Sequence, residues 1–425
     1  MHEATELQRW VRDARQRTLA LVSDLAPDRL IGPKLPIVNP LLWETGHVGW
    51  FAERWILRHD GGRAPLRPEG DALYDSAAVP HHTRWGLPLP PWPETAAYLS
   101  AVLDRVLERT ASGGANPYFV RLAVFHEDMH DEAFFYTRQT LGHPAPPFAP
   151  APPEGGGPLP GDAPVPGGRF HLGTVPGELD FVFDNEKWAH PVDLQPFRIA
   201  RAPVTQAEFR EFVDAGGYQR REWWSDAGWS WRSGAGAVHP VYWERDGSQW
   251  WRRAFDRRVP LEPHRPVLHV NWYEADAYCR WANRRLPTES EWEAAAAGEP
   301  TADGILSARK RRYPWGDTPP TPRHANLDGT YQGCIDVGAL PEGDSAFGVR
   351  QMIGNVWEWT ADDFQPYPGF AADPYREYSE PWFGTHKVLR GGCFATRGRL
   401  IRNAYRNFYT PDRRDVWCGF RTCAR

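Results

Sequence analysis

Apolar residues recur at helical spacing four times in the first 140 positions, and nowhere later so regularly. Leu7, Trp10, Val11, Ala14, Thr18 and Leu21 trace one face of a helix over residues 4–25. The run NPLLWETGHVGWFAERWILRH sets Trp43, His47, Trp50 and Phe51 on or near one face, with Asn39 reading as the N-cap and Pro40 as the first helical residue. A third helix is expected over 94–109. In the fourth, Phe119, Leu122, His126, Met129, His130, Ala133 and Phe134 form an apolar stripe with two imidazoles set into it. This pattern predicts an up-and-down four-helix bundle. One long Pro-rich crossover, 63–92, is too long for a plain connector.

The pattern then breaks. Residues 143–165 are dense in Pro, Gly and Ala and read as an interdomain linker. Short strand-like runs follow at RFHLGT and HPVDLQPFRIA. A helix is signalled by Thr205 with Glu208 three residues on, another over 272–284, and a third by Thr288 with Glu291. The rest is loop-rich. The expected class is α+β: a helical bundle over 1–142, the linker, and an α/β domain over 166–425.

Composition narrows the function. A net charge of −5 and a pI near 6.3 leave no basic footprint for nucleic acid. No apolar run is long enough to span a membrane, and the first residues are charged and amphipathic, so a cytoplasmic location is expected. Five cysteines, an odd number, do not form a disulfide framework. The 22 Trp residues suit aromatic-walled pockets and pinned loops.

The chemistry sits on the stripe. His126 and His130, four apart, lie one above the other on a helix and can chelate one metal ion. A lone HxxxH pattern also fits ordinary core histidines. His47, on the second helix among aromatics, is the third candidate ligand. Three neutral imidazoles would hold one face of a first-row divalent metal and leave the other open. Asp75, His81, His82 and Arg84 in the crossover are candidates to reach a neighbouring site, with solvated loop as the alternative reading.

Beyond the linker, FDNEKWAHPV, PVTQAEFREFV, RLPTESEWEAAAAG, YPWGD, GNVWEWT, RGGCF and GFR resemble the formylglycine-generating-enzyme-like domain, an irregular C-type-lectin-like α/β fold, across about 166–425. The front half resembles a DinB-like bundle with its three-histidine site. Together they resemble the non-haem iron sulfoxide synthases of ergothioneine and ovothiol biosynthesis and their selenium relatives, the selenoneine synthases. Copper-binding formylglycine-generating enzymes hold their metal through cysteines beyond RGG. The segment after Cys393 has none, so Cys393 reads as a packed residue.

The resemblance implies Fe(II) on His47, His126 and His130, with hercynine, O2 and a chalcogen donor as substrates. It places Tyr375 as the catalytic tyrosine and Tyr378 near the hercynine imidazole. Asn407, Phe408 and Tyr378 are the candidates to hold the trimethylammonium, and Arg84 to clamp a carboxylate. Two departures bear on the donor. Met129 stands where ergothioneine-type enzymes carry Gln, and Tyr409 where they carry the Asp that holds the donor's amine. A phenol in place of a carboxylate removes an ammonium's charge partner and favours a hydroxyl-rich donor. The expectation is therefore a selenosugar donor. The alternative is ergothioneine-type carbon–sulfur bond formation with γ-glutamylcysteine or cysteine.

Overall fold

The computed structural model describes residues 2–425, and the chain divides into two compact units, 1–148 and 149–425. In the first, four principal helices form the expected bundle: α1 (His2–Ala20), α2 (Leu41–Ala52), α3 (Trp92–Ala111) and α4 (Pro117–Leu141). α1 and α2 each pack against both α3 and α4. Leu7, Ala14, Thr18 and Leu21 are buried as the period requires, while Trp10 and Val11 are only half-buried. α2 is buried along its whole length and runs on into a π-helical turn, Glu53–His59.

The start of α2 corrects the sequence reading. Pro40, not Asn39, occupies the N-cap, and no side chain caps the helix. Asn39 instead accepts a 2.7 Å hydrogen bond from Arg84 Nη1. The same Asn-Pro signal does operate at α4, where Asn116 accepts from the Tyr118 N–H and Pro117 opens the helix. Gly142, at φ 66°, closes α4 in the left-handed conformation that glycine favours.

The crossover is folded onto α2. It carries the helical turns Gly70–Tyr74 and His81–Gly86. The Trp43 indole N–H donates to the Leu73 carbonyl at 2.6 Å, and Arg58 pairs with Asp71. Gly46 is required here, because a Cβ would lie 2.3 Å from the Tyr74 ring.

In the second unit, a four-stranded antiparallel sheet has the order Asp162–Val165, Phe197–Ala200, Cys423–Ala424, Arg284–Arg285. A second has the order Asn407–Tyr409, Lys387–Arg390, Trp357–Asp363, Cys418–Gly419, its last pair parallel. The stretch 143–165 is thus no free tether. Pro144 O accepts from Arg138, Pro150 O from the Gln332 N–H, and 162–165 is a strand. Capping boxes at Thr205/Glu208 and Thr288/Glu291 form as expected, and a third forms at Asn271/Glu274. The helix Trp272–Trp281 stops short of 284, and Arg284–Arg285 join the sheet.

Helix Glu289–Ala297 is the centre of this core. Its alanines 294–297 are wholly buried against Phe170, Leu172, Ile199, Val349 and Met352. Its carboxylates meet buried guanidiniums: Arg390 bridges Glu289 and Glu293, and Arg406 holds Glu289 at 2.7 Å. Removing one partner would strand a charge, so these pairs lock the strands around them. They support Asn407–Tyr409, whose Phe408 lies opposite Val388. Cys393 is buried, as expected of a packed residue, and so are the other four cysteines.

Candidate metal centre

His126 and His130 reach the bundle interior because α4 repeats every 3.6 residues, and α2 brings His47 to the same point. One ring nitrogen from each lies within 4.8 Å of the others. His47 and His126 approach Nε2 to Nε2 at 3.3 Å. His47 and His126 are buried, and His130 is partly open.

Two of the rings are held from behind. His47 Nδ1 lies 2.7 Å from the Tyr74 carbonyl, which can only accept, so Nδ1 carries the proton and Nε2 a lone pair. His130 Nδ1 lies 2.6 Å from Oε1 of the buried Glu44, so Nδ1–H donates to that carboxylate and Nε2 turns inward. This is the outer support that metal-ligating histidines use to fix tautomer and orientation. His126 stacks on Phe51 at a 3.5 Å centroid distance and 4° between planes. His47 lies between Trp43 and Trp50, at 4.9 and 5.8 Å. Burial pushes the pKa of His47 and of His126 well below the ordinary histidine value, and the neighbouring His130 pushes both further. Three imidazoles aimed together, the two deeper ones kept neutral, are a nitrogen donor set for a first-row divalent ion, and the residues fit one.

Arg84 has a different position from a free clamp. It is buried, its guanidinium lies 3.9 Å over the Trp43 ring, and Nη2 donates to the Ser76 and Val79 carbonyls. Burial lowers its pKa to about 10. Its terminal nitrogens tie the crossover to α2, behind the ring that flanks His47. Asp75 accepts from the Ala77 N–H, His81 bonds the Val38 carbonyl, and His82 is exposed. Met129 is half-buried on α4 beside His130. Glu44 and the Tyr74 carbonyl were not foreseen. Glu44 lies one turn before His47, a spacing that could have flagged it, but a backbone carbonyl leaves no mark in a sequence.

The second unit gathers the aromatic candidates. Tyr375 opens the turn Arg376–Tyr378, its ring 6.1 Å from that of Tyr378. Tyr378 stacks on Phe183 at 4.4 Å and meets Phe408 edge-on at 5.9 Å. Its hydroxyl lies 3.3 Å from that of Tyr405, and burial, then Tyr405, raises its pKa. Ser379, bonded to Asp184 and Asn185, anchors the turn. Asn407 Oδ1 accepts from the Phe408 N–H, and Tyr409 lies under the Arg413 guanidinium at 5.0 Å.

Residues 148–425 match the family described as sulfatase-modifying factor enzyme 1-like domain, and residues 11–134 the DinB superfamily. A hercynine oxygenase of Mycolicibacterium thermoresistibile is 42% identical over 98% of this chain and 94% of its own length. Those of Mycolicibacterium smegmatis and Mycobacterium tuberculosis are 39% and 40% identical, each match covering 96% of both chains. The chain belongs to the hercynine oxygenase family. Its fold is therefore a DinB-like helical domain followed by a formylglycine-generating-enzyme-like α/β domain, and it is an enzyme, an oxidoreductase. No described helix of this hercynine oxygenase family member is long and apolar enough to cross a membrane.

Proposed function

We propose that the protein oxidises hercynine with Fe(II) and O2, joining the imidazole carbon to the sulfur of γ-glutamylcysteine or cysteine. The observation that carries this reading is the convergence of three imidazole nitrogens within 4.8 Å, two with their far nitrogens anchored. The family supports the substrate, since relatives named for hercynine match nearly end to end.

Iron bound by His47, His126 and His130 would supply the reduction of dioxygen and a meeting point for donor and imidazole. The protein's own groups do the rest. Glu44 and the Tyr74 carbonyl hold two rings by their Nδ1, turning Nε2 inward. Phe51, Trp43 and Trp50 keep water from the two deeper histidines. Tyr375 Oη, an uncharged phenol at rest, is the proton or hydrogen-atom donor. The faces of Tyr378 and Phe408 with the Asn407 amide receive the trimethylammonium, each cation–π contact contributing about 0.5–2 kcal/mol.

A selenosugar donor is the second reading, favoured by one observation. Tyr409, under Arg413, presents a phenol and a cation where an ammonium donor would want a carboxylate. The family match favours sulfur over selenium, reversing the order of preference drawn from that residue. Iron-loaded protein offered hercynine with each donor separates the readings by adduct mass. A sulfoxide adduct with the thiol supports the proposal. Reaction with the selenosugar alone transfers the assignment to selenium, and reaction with neither overturns both.

A further inference from the structure

Of the described residues 371–387, only Ser379 is buried; its neighbours are exposed or half-buried. It directly follows the turn Arg376–Tyr378 that Tyr375 opens. Burying a hydroxyl costs free energy unless its hydrogen bonds with water are replaced. Here they are replaced in both senses: Ser379 Oγ donates to Asp184 Oδ1 at 2.5 Å and accepts from the Asn185 amide at 3.0 Å. The front of the same stretch carries a second tie. Lys187 Nζ donates to both carboxylate oxygens of Asp373, at 2.6 and 2.8 Å, and the Asp373 N–H approaches Asp184 Oδ2 at 3.5 Å.

Both ties end on one short segment, Asp184–Lys187, and that segment is itself fixed. Asp184, Asn185 and Glu186 are buried. Arg406, which holds Glu289 in the core, also donates to the Asn185 carbonyl at 2.8 Å, and Arg402 pairs with Glu186 at 2.6 Å. The segment thus links the charged lattice of the core to an exposed loop. Tyr375 stands between the ties, two residues after Asp373 and four before Ser379, and is half-buried. Tyr378 has support of its own, from the Phe183 ring at 4.4 Å and the Tyr405 hydroxyl at 3.3 Å. Loss of either tie should therefore move Tyr375 more than Tyr378.

We infer that Asp184 and Ser379 at one end, and Lys187 and Asp373 at the other, are positioning residues for the Tyr375 phenol. The inference rests on the role proposed above for Tyr375. Its first test is hydrogen exchange in full-length, metal-free protein. Ser379→Ala and Lys187→Ala should each speed exchange of the 373–382 amides about tenfold or more, with the bundle helices unchanged. The second test is turnover of iron-loaded protein with hercynine and whichever donor reacts: γ-glutamylcysteine, cysteine or a selenosugar. Each variant should lose at least about tenfold in kcat, since a small misplacement of a reacting group is costly. KM for hercynine should stay within about twofold, and Lys187→Arg should restore the rate. Tyr375→Phe/Ser379→Ala should be no slower than Tyr375→Phe alone, because a tie that acts through the phenol then has nothing left to position. Unchanged exchange in both variants, unchanged kcat in both, or a loss that adds to that of Tyr375→Phe would overturn the inference. Inactivity of the unaltered protein with all three donors would instead overturn the proposed reaction, and this inference with it.

Discussion

At the scale of single residues, the centre depends on groups that fix which nitrogen faces inward. Glu44 is the clearest case: its carboxylate accepts from His130 Nδ1 at 2.6 Å while buried. Glu44→Gln keeps the shape and removes the charge. Fe(II) affinity should fall about 10–100-fold, as for lost outer-shell partners, while Glu44→Asp recovers part of it. Equal affinity in all three proteins would show that the contact does not orient the ring. Acid should act through the same histidines. His47 and His126 are neutral when folded, with pKa values depressed below the ordinary 6.5, and burial lowers His269 to about 3. Above pH 6.5 neither native nor unfolded chain binds these protons, so their stability contribution is whole. Below it the unfolded chain takes them up and the native one does not, so stability falls. From pH 7.5 to 5.5 these histidines should therefore lower the stability of the metal-free protein. Urea midpoints in chelator check this, and a midpoint unchanged between the two values would contradict it.

At the scale of elements, the bundle was legible because a 3.6-residue period needs no partner to be seen. The three converging histidines were picked out the same way, as polar residues on apolar faces. What was misread depended on partners distant in sequence. Asn39 looked like a cap, yet its oxygen serves Arg84, 45 residues on. The strand Asp162–Val165 lay inside a Pro- and Gly-rich stretch, and only pairing with Phe197–Ala200 makes it a strand. The lattice of Arg390, Arg406, Glu289 and Glu293 was invisible because its members lie about 100 residues apart in sequence. Arg84 also supplies a test. As a tie between crossover and α2, Arg84→Ala should destabilise the metal-free protein by roughly 2–3 kcal/mol and speed proteolysis within 63–92. As a substrate clamp it would instead raise KM with stability unchanged, the outcome that would restore the first reading.

At the scale of the molecule, the two units divide the proposed work. The first carries the three converging histidines, and the second carries Tyr375 and the aromatic cluster of Tyr378 and Phe408. The family match extends over both, which is why the reaction is read from the whole chain and not from either half. The measurement that bears most directly on the account is X-ray absorption at the iron edge of anaerobically loaded protein, with metal analysis of the same sample. One iron per chain with scattering from three imidazoles is predicted, and His126→Ala should lose one imidazole and most of the metal. Iron bound by one imidazole or none, or bound as tightly after His47, His126 and His130 are all replaced by Ala, would contradict it.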